Sequence, residues 1–173
     1  MFSAMLAYET RAFTKTFRRF SMGKPTHADA ELILKLYEAR RETEIRKARQ
    51  WWTTTFWPES ADDVVKVMRA AGTQENAWFR QVLGYWGMAG SFVAHGVLSE
   101  DLFFEASFCG EMFVVFAKLE PFLAEVREKM QNPTLLGNME KLARSEAAKE
   151  RYTIITRNVG NMRKARAERA KAS

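Results

Sequence analysis

Apolar residues return every three or four positions along most of this chain, and the interruptions of that rhythm divide it into helical segments. In residues 1–20, Phe2, Leu6, Phe13, Phe17 and Phe20 keep roughly helical spacing, while Arg11, Lys15, Arg18 and Arg19 fall mainly elsewhere on the wheel. Ser21 to Pro25 breaks the pattern, so this basic amphipathic helix reads as a separable arm. A second pattern starts at Thr26, whose spacing to Asp29 is that of a capping box. It runs to about Trp52, with Ala30, Ile33, Tyr37, Ile45, Ala48 and Trp52 on the apolar stripe. Its densely charged stretch, Glu38 to Arg49, reads as a solvated face with close pairs such as Glu42 with Arg46 or Lys47. Pro58 then disfavours helix at Trp57. Ser60 with Asp63 signals a new N-cap, and a short helix from Ala61 to Ala71 ends at Gly72.

The stretch 73–119 gathers seven of the thirteen Phe residues, two of the five Trp, and the single Cys. It reads as two apolar helices, 73–95 and 100–119, joined by Gly96 to Ser99, a connection short enough to force an antiparallel hairpin. The second helix is apolar nearly all round, which marks it as central, and Ser107, Glu111 and Lys118 form its polar strip. Counting out from the turn sets His95 near Glu100 and Asp101, Ser91 near Phe104, and Gly84 near Glu111. A buried Glu111 needs a partner, and Arg80 is the nearest cation by that register, so Arg80, Glu111 and His95 are the buried polar candidates.

In the first helix of the pair, Gly84, Gly87, Ser91 and Ala94 occupy one narrow face. Each interior Gly costs about 1 kcal/mol relative to Ala. A second helix approaching the groove closely is the expected compensation, and a flat ligand beside Trp86 is the alternative. Beyond the pair, Glu120-Pro121 permits a new start, and Asn132-Pro133 signals a last helix reaching about Thr156. Past Gly160 the sequence MRKARAERAKAS has little to bury and is expected to be frayed or disordered. The pattern as a whole predicts an all-α fold. It is a single helical bundle of about five to six helices around the central antiparallel hairpin 73–119, with helical N- and C-terminal arms.

Composition changes this picture mainly through charge. At 173 residues the chain suits one domain, and a lone cysteine, Cys109, allows no internal disulfide and fits a reducing compartment. The net charge of +6 is split unevenly: +4 over 1–24, −5 over 25–140 and +7 over 141–173. The expected organisation is therefore a basic N-terminal arm (1–24), a helical domain (25–145) and a basic C-terminal tail (146–173). Basic arms suit phosphates, an anionic membrane surface, or the acidic body of the chain itself. Residues 1–20 also resemble an organelle transit peptide in being Arg-rich and acid-poor. The most apolar stretch, Leu102 to Leu119, contains Glu105, Glu111 and Lys118, so no transmembrane span is expected.

Catalytic chemistry finds no constellation. The two histidines, His27 and His95, lack the Glu-x-x-His or His-x-x-x-His spacing of a metal site, and register keeps Cys109 away from His95. No catalytic, cofactor-binding or metal-ligating residue is assigned, and no cofactor is expected. Two readings of function remain. The first is a non-enzymatic interaction or scaffold protein that self-associates or binds a protein partner, with Trp51, Trp52, Trp57 or the first helix offering aromatic surface. Residues 1–20 add a membrane-surface variant, with Arg11, Lys15, Arg18 and Arg19 on anionic lipid. The second is nucleic-acid binding without sequence specificity through 157–171, using Arg157, Arg163, Lys164, Arg166, Arg169 and Lys171 on phosphates. The compartment expected for either is the cytoplasm, or the periphery of the inner membrane.

Four stretches carry a family resemblance: LILKLYEARRE at 32–42, the Trp51, Phe56 and Pro58 cluster, FRQVLGYWGMAGSFVAHGVLSEDLFF at 79–104, and AKLEPFLAEVRE at 117–128. In these the chain resembles a family of short bacterial helical proteins of unknown function, over about Ala30 to Leu142. The resemblance implies an all-α fold and no activity, cofactor or catalytic residue. Some members of that family carry an N-terminal membrane segment, which residues 1–20 are too charged to match.

Overall fold

The structure, a computed structural model, describes residues 24–172, and of Ala106 and Ser107 the backbone alone. The amphipathic arm read at 1–20, with Arg11, Lys15, Arg18 and Arg19, lies outside the described residues. Those that are described form helices and no strands.

Helix α1 (His27–Ala39) opens on the capping box: the Thr26 hydroxyl accepts from the Asp29 amide, and the Asp29 carboxylate accepts from the Thr26 amide. It ends at Ala39 instead of continuing to Trp52. Glu42 accepts the amides of Glu44 and Ile45 and so caps α2 (Thr43–Gln50), rather than pairing with Arg46 or Lys47. Lys47 pairs with Glu44 instead, at 2.7 Å. With the helix broken there, Leu36, Ala48 and Trp52 are buried, while Tyr37 and Ala30, both placed on the stripe, are exposed. A π-helical turn follows at Trp51–Thr55 and carries both tryptophans inward. Trp51 stacks on Phe56 at 4.7 Å and Trp52 on Phe79 at 5.1 Å.

Helix α3 (Ala61–Arg69) starts on the Ser60–Asp63 capping box and gives way to Gly72 at φ +87°, a backbone angle that suits glycine. Thr73 caps α4 (Gln74–Ala94) by accepting from the Asn76 amide. The second half of the hairpin is split. A single turn, α5 (Glu100–Phe103), is capped by Ser99, and α6 (Ala106–Leu119) begins after a break at Phe104 and Glu105. A 3₁₀ turn with Pro121 in its first turn leads into α7 (Leu123–Lys129). The long last helix expected from Asn132-Pro133 does not start there: residues 133–136 form turns, Leu136 takes φ +58°, and the helices that follow are α8 (Gly137–Ala143) and α9 (Lys149–Ala172). These breaks give more helices than the five or six expected.

Helix α4 packs on α2, α3 and α8, and α6 packs on α8 and α9. Trp52, Phe79, Trp86, Phe103, Met112, Phe113 and Phe116 are fully buried between them. Where α4 faces α6, large side chains meet, with Trp86 edge-on to Phe108 at 5.8 Å. The small-residue face of α4 is thus not the seam of the hairpin. A Cβ built on Gly84 or Gly87 meets nothing within 4 Å, and both glycines line an open groove of about 600 Å³ with Leu83 and residues 134–139. The glycine a neighbour does approach is Gly90, where a Cβ would lie 3.4 Å from Cδ1 of Leu142 on α8. Ala94 is buried and Ser91 half-buried.

The stretch past Gly160, read as frayed or disordered, is helix to Ala172. Ala148 and Val159 are buried, and Tyr152 lies 5.7 Å from Phe113 and 5.8 Å from Phe116. Apolar contacts near its start and polar ones further on explain why a sequence with few apolar anchors lies on the domain.

Candidate functional site

Two polar clusters are built into the apolar body, both on the inner strip of α6. The first surrounds Glu111. Burial of a carboxylate demands charged or hydrogen-bonded partners, and three reach it. Arg40, at the end of α1, places its guanidinium 3.0 Å from Oε2. Arg49, near the end of α2, donates from Nε to both oxygens at 2.9 and 2.7 Å, and its second nitrogen lies 2.5 Å from Oε2. The indole N–H of Trp86 donates to Oε1 at 3.3 Å. Arg40 is itself buried, 5.1 Å over the Trp86 ring and 5.6 Å over Phe108, and it donates to the Phe108 carbonyl. Hydrogen bonding to Glu111, working against burial, holds the Arg49 guanidinium above its ordinary range. Next to it Tyr85 donates to the Leu36 carbonyl at 2.8 Å, and burial keeps its phenol protonated well above the usual range. A carboxylate so occupied is a cross-link between α1, α2, α4 and α6 rather than a proton-transfer group.

Arg80, read as the partner of Glu111, is exposed on α4 and takes no part. His95, also read as buried, is exposed as the residue closing α4. Register counting failed here because α1 and α2, elements outside the hairpin, supply the cations. Sequence reasoning also missed Arg40 and Arg49. The signal that could have found them is the break at Arg40–Glu42, which frees Arg40 to turn inward.

The second cluster surrounds Lys118, the deepest charged side chain among the described residues at 0% exposure. Its Nζ donates to the Trp52 carbonyl and lies 3.8 Å over the Trp57 ring. Burial first, then Arg166 and Arg163, lowers its pKa to about 7. Arg163 donates to the carbonyls of Pro58 and Lys118 and lies 5.3 Å over Phe122. Burial lowers the pKa of Arg163, with Glu59 acting in the other direction. Arg166 donates to the Thr54 carbonyl and lies 5.3 Å over Trp57. Two of the six cations read as phosphate contacts are therefore engaged with the domain. Arg157, Lys164, Arg169 and Lys171 lie exposed along α9. The stacking surface read beside Arg46 to Arg49 is also lost, since Trp51 and Trp52 are buried.

Cys109 is buried, and its sulfur accepts from Arg151 at 3.2 Å; burial raises its pKa despite that donor. A buried thiol with a raised pKa is a poor nucleophile. Among the described residues, no helix is long and apolar enough to cross a membrane, and no three His, Cys, Asp or Glu side chains cluster as metal ligands.

Residues 25–145 match the model of a family described as a domain of unknown function, DUF4760. The match includes α1 to α8 and the Glu111 cluster, and stops short of α9. No curated protein and no solved structure matches the chain.

Proposed function

The chain belongs to the DUF4760 family, a domain family of unknown function, and on that footing we propose that it is a non-enzymatic helical interaction protein that self-associates through the outer face of α1. The observation that carries this reading is the pair Leu34 and Tyr37. They lie three residues apart on one helix face and are 62% and 52% exposed. Glu31 and Glu38 lie exposed on the same helix, a polar border of the kind protein interfaces carry. The clusters at Glu111 and Lys118 lend support by tying helices together with groups already occupied by one another. The compartment proposed with this reading is the cytoplasm, on the strength of the lone buried thiol of Cys109.

Size-exclusion chromatography with light scattering on the full chain tests it. The native protein is expected to show a mass above one chain that falls on dilution, and Leu34→Ser with Tyr37→Ser is expected to run as a monomer. A native protein that is monomeric at every concentration overturns the reading.

A second reading, nucleic-acid binding without sequence specificity, draws on Arg157, Lys164 and Lys171 exposed along α9. It is the weaker one because Arg163 and Arg166 spend their donors on backbone carbonyls. Co-purified nucleic acid that is lost in high salt and lost with Lys164→Ala and Lys171→Ala would establish it in place of the first. The membrane-surface variant through residues 1–20 is decided by liposome flotation with and without them; equal flotation removes it.

A further inference from the structure

The Lys118 cluster lies away from the α1 face and raises a separate question. The charged groups that act on this buried amine are both cations, Arg166 and Arg163 of α9. From the segment before α3, Glu59 acts on Arg163. The π turn and the residues after it supply a carbonyl, Trp52, and a ring, Trp57. The ring of Trp57 thus lies close both to the amine of Lys118, at 3.8 Å, and to the guanidinium of Arg166, at 5.3 Å.

Helix α9 changes character at one residue. Val159 is its last buried position, and Gly160 follows. A Cβ on Gly160 would meet nothing within 4 Å, so packing does not require glycine there. A glycine inside a helix weakens it at that point. Beyond it, Arg163 and Arg166 reach the domain through the Pro58, Lys118 and Thr54 carbonyls.

We infer that residues 160–172 are a proton-controlled latch hinged at Gly160: they lie on the domain while the Lys118 amine is neutral, and a proton on that amine sets three cations against one another and lifts the helix end away. Opening uncovers Trp57 and Phe122. The direction follows from the amine, which burial and the two guanidinium groups bring to about 7. Arginine stays charged at every pH in question, so Lys118 is the cluster member that changes. The two histidines take no part in the cluster: they sit at the ends of α1 and α4.

Hydrogen exchange of the full chain, followed by mass spectrometry and corrected for intrinsic rates, tests the latch. With the amine returned towards its ordinary 10.5 on opening, the opened form gains about tenfold for each unit the pH falls between 10.5 and about 7, and levels off below that. Protection of 160–172 is therefore expected to fall roughly a hundredfold between pH 9 and pH 6 while the core stays protected. Lys118→Met is expected to hold the same protection at both pH values. Equal protection of the native helix end at both, or an undiminished pH dependence in Lys118→Met, overturns the proposal. Should Lys118→Met fail to fold, Arg166→Gln decides: with one cation fewer beside the amine, the midpoint moves to higher pH, and an unmoved midpoint overturns the latch.

Discussion

At the scale of single residues, stability turns on charges taken out of water and what they meet there. Glu111 receives two guanidinium groups and an indole N–H, and Arg40 is buried with it. Removing one side of such a pair leaves the other uncompensated, at a cost of about 3–5 kcal/mol. Glu111→Ala is therefore expected to lose that much in urea denaturation, all the more because Nε of Arg40 already lacks a partner. A loss under about 1 kcal/mol would place the pair among surface ion pairs. Lys118 works in the opposite sense. Between about 7 and its ordinary 10.5 the unfolded chain holds a proton that the folded chain has shed. Stability therefore rises with pH across that window, and below it the full cost of the buried ammonium remains. Lys118→Met is expected to raise the melting temperature at pH 6 and to flatten the curve between pH 7 and pH 10. A melting temperature at pH 6 no higher than that of the native chain contradicts this account.

At the scale of elements, helix ends follow local chemistry and helix faces follow their neighbours. Thr26, Ser60 and Thr73 cap where their spacing predicts, and Pro121 stands in the first turn of the segment leading into α7. The face of α4 did not follow from its small residues. Gly84 and Gly87 look into an open groove, so alanine at either position is expected to stabilise the protein by up to about 1 kcal/mol through helix propensity alone. Gly90→Ala is expected to gain less, because its Cβ would press on Leu142 at 3.4 Å. Thermal denaturation of the three variants checks the order. Destabilisation by Gly84→Ala would restore the view that this face is a close packing seam.

At the scale of the whole molecule, the family match ends at residue 145 while the packing continues. Tyr152 lies against Phe113 and Phe116 and donates to Glu120 at 2.6 Å, and Arg151 reaches the sulfur of Cys109. Burial, followed by that bond to Glu120, keeps the Tyr152 phenol protonated well above its usual range. Helix α9 is part of the core for these reasons. A fragment comprising residues 24–145 is expected to melt well below the full chain. A difference under about 2 °C would mean that α9 adds little beyond surface contact.

The sequence by itself determined the helical class, the capped starts at Thr26, Ser60 and Thr73, the Gly72 and Gly96 stops and the central place of 100–119. Those signals act within a turn or two, through hydrogen bonds and backbone angles that neighbouring residues set. Tertiary structure decided the rest: that Arg40 and Arg49 rather than Arg80 hold Glu111, that Trp51 and Trp52 are hidden, and that the basic C-terminal stretch is a docked helix. The partners in each case are distant in sequence and are often carbonyls, such as those of Trp52, Thr54 and Pro58, which every residue type carries alike. A backbone oxygen leaves no mark in a residue pattern, so the cluster around Lys118 became visible only when α6, α9 and the Trp57 turn came together.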